Sequence, residues 1–237
     1  MLFRSVIMSG TKEIEEKEFY MALCIREKYS KRELERQIES SYYQRYMLSL
    51  SAQTLAPVNV PHNEHTRFLD SYGLEFLDLP AKYSEDDLRK AIVQNLKNFV
   101  LEIGKDLAFI GDEYRVQVAN SDWHIDPLFH HCGLQCLVAF GLKIGKFKPE
   151  YISKMDFCLE VLGRENKKPN ENSSIGVILC ASKEDEVVEY AMSRSLSPTT
   201  VAEYKMKLID KALLEQKLRE FKGLLIESGE ADKEEKD

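Results

Sequence analysis

The chain has no apolar run approaching the roughly 20 residues that a membrane-crossing helix needs, so no helical membrane span is expected. It lacks a glycine-rich phosphate loop of either common type, so no nucleotide cofactor is expected. Positive charge is not in excess. Lys and Arg number 33 against 40 Asp and Glu, a formal net charge of −7. That balance argues against an overall polyelectrolyte binder of nucleic acid, although a local basic cleft is what phosphate contacts require. Cysteine is sparse: Cys24, Cys132, Cys136, Cys158 and Cys180 are odd in number and scattered, mostly in apolar surroundings. Buried thiols are expected rather than a disulfide framework. Residues Met1 to Gly10 lack the long apolar region and small-residue cleavage site of a signal peptide, which leaves the cytoplasm as the expected compartment.

What is present is enough for one full-sized core with an appendage, or two small domains: 237 residues, 43% of them apolar. Glu15 to Lys28 reads as a helix. Ser30-Lys31-Arg32-Glu33 is a capping-box pattern that opens a second, expected to run through Leu34, Ile38, Tyr42 and Tyr46. Pro57, Asn59 and Pro61 mark residues 51–64 as a linker. Leu74 to Leu79 reads as a short helical turn or docking segment. Ser84-Glu85-Asp86-Asp87 is another cap, and Leu88, Ile92, Leu96, Phe99 and Ile103 form one helical stripe that Gly104 ends.

From Leu107 the period changes to that of strands. Ala108–Ile110, Tyr114–Val118, Trp123–His130 and Gln135–Lys143 are separated by turn residues and read as an antiparallel meander. Pro149 opens a helix through Met155 and Leu162. Ile175–Cys180 reads as a strand buried on both faces. Ser182 to Asp185 is expected to cap a helix over Glu186–Met192, Val201–Tyr204 to be a last strand, and Leu208–Ile226 a long amphipathic helix. The stripe of that helix suits either a homodimer or packing on its own sheet. Glu227 to Asp237 is acidic and reads as a disordered tail. The expected division is therefore a partial helical segment over 1–50, a linker over 51–64, an α/β domain over 65–206, the helix over 207–226 and the tail over 227–237. The order of elements predicts α/β with a mixed central sheet flanked by helices.

The chemistry concentrates between residues 123 and 154. Asp126 on one strand and Lys143 on the next stand where a divalent-metal phosphodiesterase places an acid and a lysine. In such a site Asp126 and the Leu142 carbonyl would hold Mg²⁺ or Mn²⁺, and Lys143 would orient water or stabilise charge on phosphorus. The second acid position holds Gly141. The pair alone equally suits a cross-strand ion pair at a sheet end. His124, expected on the same face as Asp126, reads as a substitute ligand or as a polar strand-end residue. His130, His131, Cys132 and Cys136 straddle a turn without the paired spacing of a zinc site. Lys146, Lys148 and Lys154, interleaved with Phe147 and Tyr151, suit phosphate contact or a solvated helix face.

Several segments raise the weight of the first reading. Ile125-Asp126-Pro127-Leu128-Phe129, the run from Cys136 through Lys143 to Tyr151, and Ser174-Ile175-Gly176-Val177-Ile178-Leu179-Cys180 closely resemble the YhcG-type PD-(D/E)xK nuclease domain. Leu69–Leu79, Tyr83-Ser84-Glu85, Val187–Ala191 and Val201–Tyr204 fit the same pattern, so the resemblance covers about residues 65 to 205. Glu16 to Leu50 looks like the end of that family's helical N-terminal domain. The resemblance implies a restriction-endonuclease-like fold, a Mg²⁺- or Mn²⁺-dependent nuclease ancestry and a nucleic-acid partner, DNA foremost. It assigns Asp126 as the first acid, Lys143 as the lysine and Glu102 as an additional acid near the metal. It also expects glutamate at position 141, so Gly141 predicts impaired cleavage. The rival expectations are a degenerate nuclease fold that binds nucleic acid or a protein without cutting, and a truncated product with no independent role.

Overall fold

A computed structural model describes residues 2–53 and 68–220, with 105, 194, 196 and 209 excepted. The chain divides into two compact units, one of Met1–Ala52 with Leu208–Asp237 and one of Gln53–Lys207. Most of the linker expected over 51–64, the boundary at 65 and the acidic tail lie outside the described residues, whereas residues 51–53 continue a helix.

The first unit contains α1 (Leu2–Gly10), α2 (Ile14–Glu27), α3 (Lys31–Glu39) and α4 (Tyr42–Gln53), with residues 211–220 also helical. α1 falls within the helical segment expected over 1–50, although no individual helix was placed there. The predicted capping box is formed: Ser30 accepts from the Glu33 amide, and Glu33 accepts from the Ser30 amide. The helix it opens stops at Ser40, where the expectation was continuation through Tyr46. Ser41 takes φ 54°, which no helix interior accommodates, and α4 restarts beyond it. Tyr20 locks the corner, because its fully buried hydroxyl donates to the Gln37 carbonyl and accepts from the Tyr43 amide, each at 3.1 Å. Leu214 and Leu218, one turn apart, are buried. Glu16 is buried too, accepting from Gln44 at 3.1 Å and pairing with Lys211 at 2.8 Å.

The second unit is the α/β domain. Its helices are α5 (Glu85–Gln94), α6 (Leu96–Ile103), α7 (Glu150–Val161) and α8 (Asp185–Met192). Its strands are β1 (Ser71–Gly73), β2 (Leu107–Gly111), β3 (Tyr114–Val118), β4 (Ser121–Ile125), β5 (Leu128–His131), β6 (Cys136–Lys146), β7 (Ile175–Ser182) and β8 (Thr199–Lys205). A six-stranded sheet runs β1-β8-β7-β6-β5-β2. The β6/β7, β7/β8 and β8/β1 pairs are parallel, and β5 pairs antiparallel with β6 and with β2. The parallel pairs need crossovers, which α7 and α8 supply, so the expected mixed sheet flanked by helices is the fold found. The strand read over Ile175–Cys180 is buried along its whole length, as expected for a central parallel strand. Phe99 from α6, Phe129 and Phe140 pack edge-on or tilted on one sheet face, with centroids 5.3–5.8 Å apart. On the other face Leu128, Ala139 and Ile178 meet Ile152, Met155 and Leu159 of α7.

Several local expectations are corrected. The stripe from Leu88 to Ile103 is two helices broken at Asn95, whose amide is shared between the Ala91 and Ile92 carbonyls. The meander is not sequential: β2 pairs with β5, while β3 and β4 form a separate hairpin inserted between them. The strand expected over Trp123–His130 is cut at Asp126-Pro127, where proline has no N–H to donate to a ladder. Position Glu184, not Ser182, precedes α8, and its side chain makes no capping bond. No helix among the described residues is long and apolar enough to cross a membrane.

Candidate active site

Asp126 lies in the turn that carries the chain from the hairpin back into the main sheet. Leu128 is opposite Ala139 in the β5/β6 ladder, and the Phe140 amide donates to the Pro127 carbonyl at 3.1 Å. Continuing that antiparallel register sets Asp126 opposite Gly141. Side chains alternate along β6, so positions 141 and 143 share a face, while Leu142 turns its buried side chain to the other. The Phe140 amide is directed toward β5, and the same alternation directs the Leu142 carbonyl toward the Asp126 side. Asp126, Gly141, the Leu142 carbonyl and Lys143 are therefore brought to one end of the sheet, as the sequence predicts.

Each charge at this end already has a protein partner. Lys143 Nζ donates to Glu85 Oε2 at 2.6 Å and lies 5.5 Å from the Tyr151 ring centroid. Glu85 is the first residue of α5, held there by the Ser84–Asp87 capping box. Arg89, one turn further on, has a side chain only 8% exposed. It donates to Asp86 and Asp112, stands 3.4 Å from Glu113, and places Nε 4.0 Å from Asp126 Oδ1. Burial pushes the Asp126 carboxyl above the ordinary carboxylate value. Arg89 and Lys143 pull it back, while Glu113 and Glu85 add to the rise.

Position 141 is closed by packing rather than by backbone geometry. A Cβ placed on Gly141 would lie 3.1 Å from Met155 Cε and 3.9 Å from an Ile178 methylene. Met155, buried on α7, thus reaches into the space that a side chain at 141 would enter. The same methionine crowds Gly176 more tightly, at 2.5 Å from its Cγ.

The remaining predicted residues are dispersed. Glu102 is buried on α6 and accepts from the Gly73 amide at 2.7 Å. Gly73 belongs to β1, and β8 and β7 lie between β1 and β6, a span of roughly 14 Å at ordinary strand spacing. Glu102 is therefore an anchor for the sheet edge and not a neighbour of Asp126. His124 is exposed on β4 opposite Arg115, and the break at Asp126-Pro127 removes the shared-face argument that tied it to Asp126. His130 faces Glu171 at 3.3 Å, and His131 Nδ1 accepts from the Leu134 amide at 3.1 Å. Lys146 pairs with Glu184, whereas Lys148 and Lys154 are exposed. Near Lys154, three residues before Phe157 on α7, the single tryptophan, Trp123, packs with its ring tilted 54° and its centroid 4.8 Å from that of Phe157, both rings partly exposed.

Arg89, Glu85 and Met155 are the participants that the sequence reading missed. Asp86 and Arg89 stand at helical i, i+3 spacing, the one local signal that could have drawn attention to Arg89. The divalent ion implied by the family does not fit these donors. Gly141 offers no side-chain oxygen, a guanidinium adjoins the Asp126 carboxylate, and no group of three His, Cys, Asp or Glu among the described residues could hold a metal ion.

Comparison with known proteins agrees with the motifs. The family model described as the YhcG PDDEXK nuclease domain matches residues 65–219. The protein named "Putative nuclease YhcG" of Escherichia coli (strain K12) is 33% identical over 226 residues, 94% of this chain. The chain spans 60% of that relative's length. Among solved structures, a repair endonuclease from Pyrococcus abyssi overlaps 54% of this chain and 48% of its own, at 14% identity and TM-score 0.34. An EndoMS–dsDNA complex overlaps 53% and 45% respectively, at 14% identity and TM-score 0.36. Overlaps this partial carry no argument about substrate or assembly.

Proposed function

The chain belongs to the YhcG PDDEXK nuclease domain family, and we propose that it is a nucleic-acid-binding member, DNA foremost, whose phosphodiester cleavage is impaired. The observation that carries this reading is the pairing of Gly141 with Met155. The strand position where the family pattern wants a second carboxylate has none, and a buried methionine lies 3.1 Å from where its Cβ would stand. Asp126 and Lys143 keep their places but are engaged by Arg89 and Glu85. Binding is assigned to the exposed lysines Lys148 and Lys154, with the partly exposed Trp123–Phe157 pair about one helical turn from Lys154, a combination suited to phosphate contact and to packing against an unpaired base. Lys146 is tied to Glu184 and contributes less.

The test compares the chain as given with Gly141→Glu/Met155→Ala and with Asp126→Ala, on labelled duplex and single-stranded DNA in Mg²⁺ and in Mn²⁺. Binding is followed by anisotropy and by Trp123 emission, and cleavage by gel. The reading expects salt-sensitive binding by all three, with cleavage by the parent absent or slow. Multiple-turnover cleavage by the parent, abolished by Asp126→Ala, would refute impairment. Absence of binding at low salt would refute the binding half.

A further inference from the structure

The motifs around Asp126 and Lys143 leave Arg89 unexplained. Its side chain is nine-tenths buried, yet guanidinium keeps its charge at any pH the fold survives. Four carboxylates converge on it from three separate parts of the chain. Asp86 belongs to its own helix, Asp112 and Glu113 to the turn between β2 and β3, and Asp126 to the junction between β4 and β5. Gathering carboxylates from distant segments is what a divalent ion does in a metal site. Here a planar, five-donor side chain does it instead.

We propose that Arg89 is the resident cation of this site, bridging the carboxylates in place of a divalent ion and denying Asp126 to one. The inference rests on the reading of an impaired nuclease site and deepens it. Gly141 and Met155 account for a missing oxygen ligand, whereas Arg89 accounts for a charge that repels any ion the remaining oxygens could attract. A dication approaching Asp126 would meet a fixed positive group 4.0 Å from its carboxylate oxygen. Moving Arg89 aside would leave a buried guanidinium short of partners, which is costly. Lys143, engaged by Glu85, adds a second positive charge on the same face. Both cations stand on the side of Asp126 from which an ion would approach, and restoring the acid at 141 does not by itself make the site a metal centre.

The experiment is a Mn²⁺ titration of metal-stripped protein, read as loss of the free-ion spin-resonance signal and as a shift in thermal midpoint. It uses the full chain as given, Arg89→Gln, Arg89→Lys, Gly141→Glu/Met155→Ala, and Asp126→Asn alone and with Arg89→Gln. The parent is expected to show no saturable uptake that Asp126→Asn removes. Arg89→Gln is expected to gain such a site, at least roughly tenfold tighter than any parental uptake, because a like charge has gone. Adding Asp126→Asn should abolish the gain, and Arg89→Lys should show none. Saturable, Asp126-dependent uptake by the parent overturns the proposal. So does uptake by Gly141→Glu/Met155→Ala with Arg89 intact, or a folded Arg89→Gln that gains nothing. If Arg89→Gln does not fold, the parental, Arg89→Lys and Gly141→Glu/Met155→Ala titrations still decide: uptake by any of them overturns the proposal, and its absence in all three supports it. Mn²⁺ uptake by a parent that still does not cut would refute the Arg89 proposal alone, whereas cleavage by the parent would refute the impaired-site reading beneath it.

Discussion

Glu85 Oε2 and Lys143 Nζ are 2.6 Å apart, joining the first turn of α5 to β6. The two side chains are 47% and 22% exposed, so water screens the pair and its contribution to stability is about 0–1 kcal/mol. Its effect on binding is different, because a lysine held by a carboxylate has little charge to offer a phosphate. Glu85→Gln is expected to leave the urea midpoint nearly unchanged while tightening DNA binding and steepening its salt dependence by about one counterion. Anisotropy titrations across a salt series check this, and an unchanged slope would show that Lys143 does not reach nucleic acid.

Met155 sets the cost of substitution on two strands. Gly141→Ala should destabilise by about 1–2 kcal/mol, since a flexible methionine can yield a few tenths of an ångström. Gly176→Ala should cost clearly more, because its Cβ would overlap Met155 Cγ at 2.5 Å and approach Thr199 Oγ1 at 3.0 Å. Met155→Ala should relieve much of the Gly141→Ala penalty, a coupling that a double-mutant cycle in denaturant measures. Additive costs would mean that Met155 is not the obstacle.

Asp126 makes a prediction with a definite sign. Its carboxyl is raised in the folded chain, chiefly by burial. The unfolded chain therefore releases this proton at lower pH than the folded one, and stability from this group is lost as pH climbs from the ordinary carboxylate value through the raised one. Asp126→Asn removes that loss. The variant should be more stable than the parent at pH 7, and the difference should vanish below about pH 3. Thermal midpoints across pH decide it; a variant weakened most at pH 7 would show that attraction to Arg89 outweighs burial.

The cysteines should react in a fixed order. Cys136 and Cys180 are buried, and burial pushes both thiols up to about 11, so at pH 8 almost no thiolate forms. Cys132 is exposed. Ellman's reagent at pH 8 should modify Cys132 rapidly, and Cys136 and Cys180 only after unfolding. Early labelling of Cys180 would mean that β7 opens locally.

In the helical unit, Glu16→Ala should cost about 3 kcal/mol, because it strips Lys211 of its carboxylate partner, leaving it the Gly10 carbonyl, and leaves the buried Gln44 amide without its acceptor. Glu16→Gln should recover part of it. Chemical denaturation of the two variants is the measurement.

What was legible in the sequence is what depends on short range or on a repeating face. Ser30 and Ser84 announce their capping boxes within four residues, and Ile175–Cys180 announces a buried strand by composition alone. The Asp126–Lys143 neighbourhood followed from recognisable segments. Arg89 was not legible, because Asp112, Glu113 and Asp126 meet it only after the β3–β4 hairpin has folded away from the main sheet. The break at Asn95 was hidden because the apolar stripe continues on both sides of it. Glu102 shows the limit of carrying a role over by position. It stands on a helix before the sheet, as the resemblance requires, but points to the opposite edge from the chemistry.

That same glutamate has a second consequence. β1 is the outermost strand beside β8, and the Leu74 amide donates toward β8, so the alternating Gly73 amide faces outward. An outward amide on an edge is an invitation for another chain to add a strand. The Glu102 carboxylate occupies that donor, and it does so with a charge that an incoming backbone carbonyl would have to displace. A strand added past β1 at Gly73 would first have to displace that carboxylate.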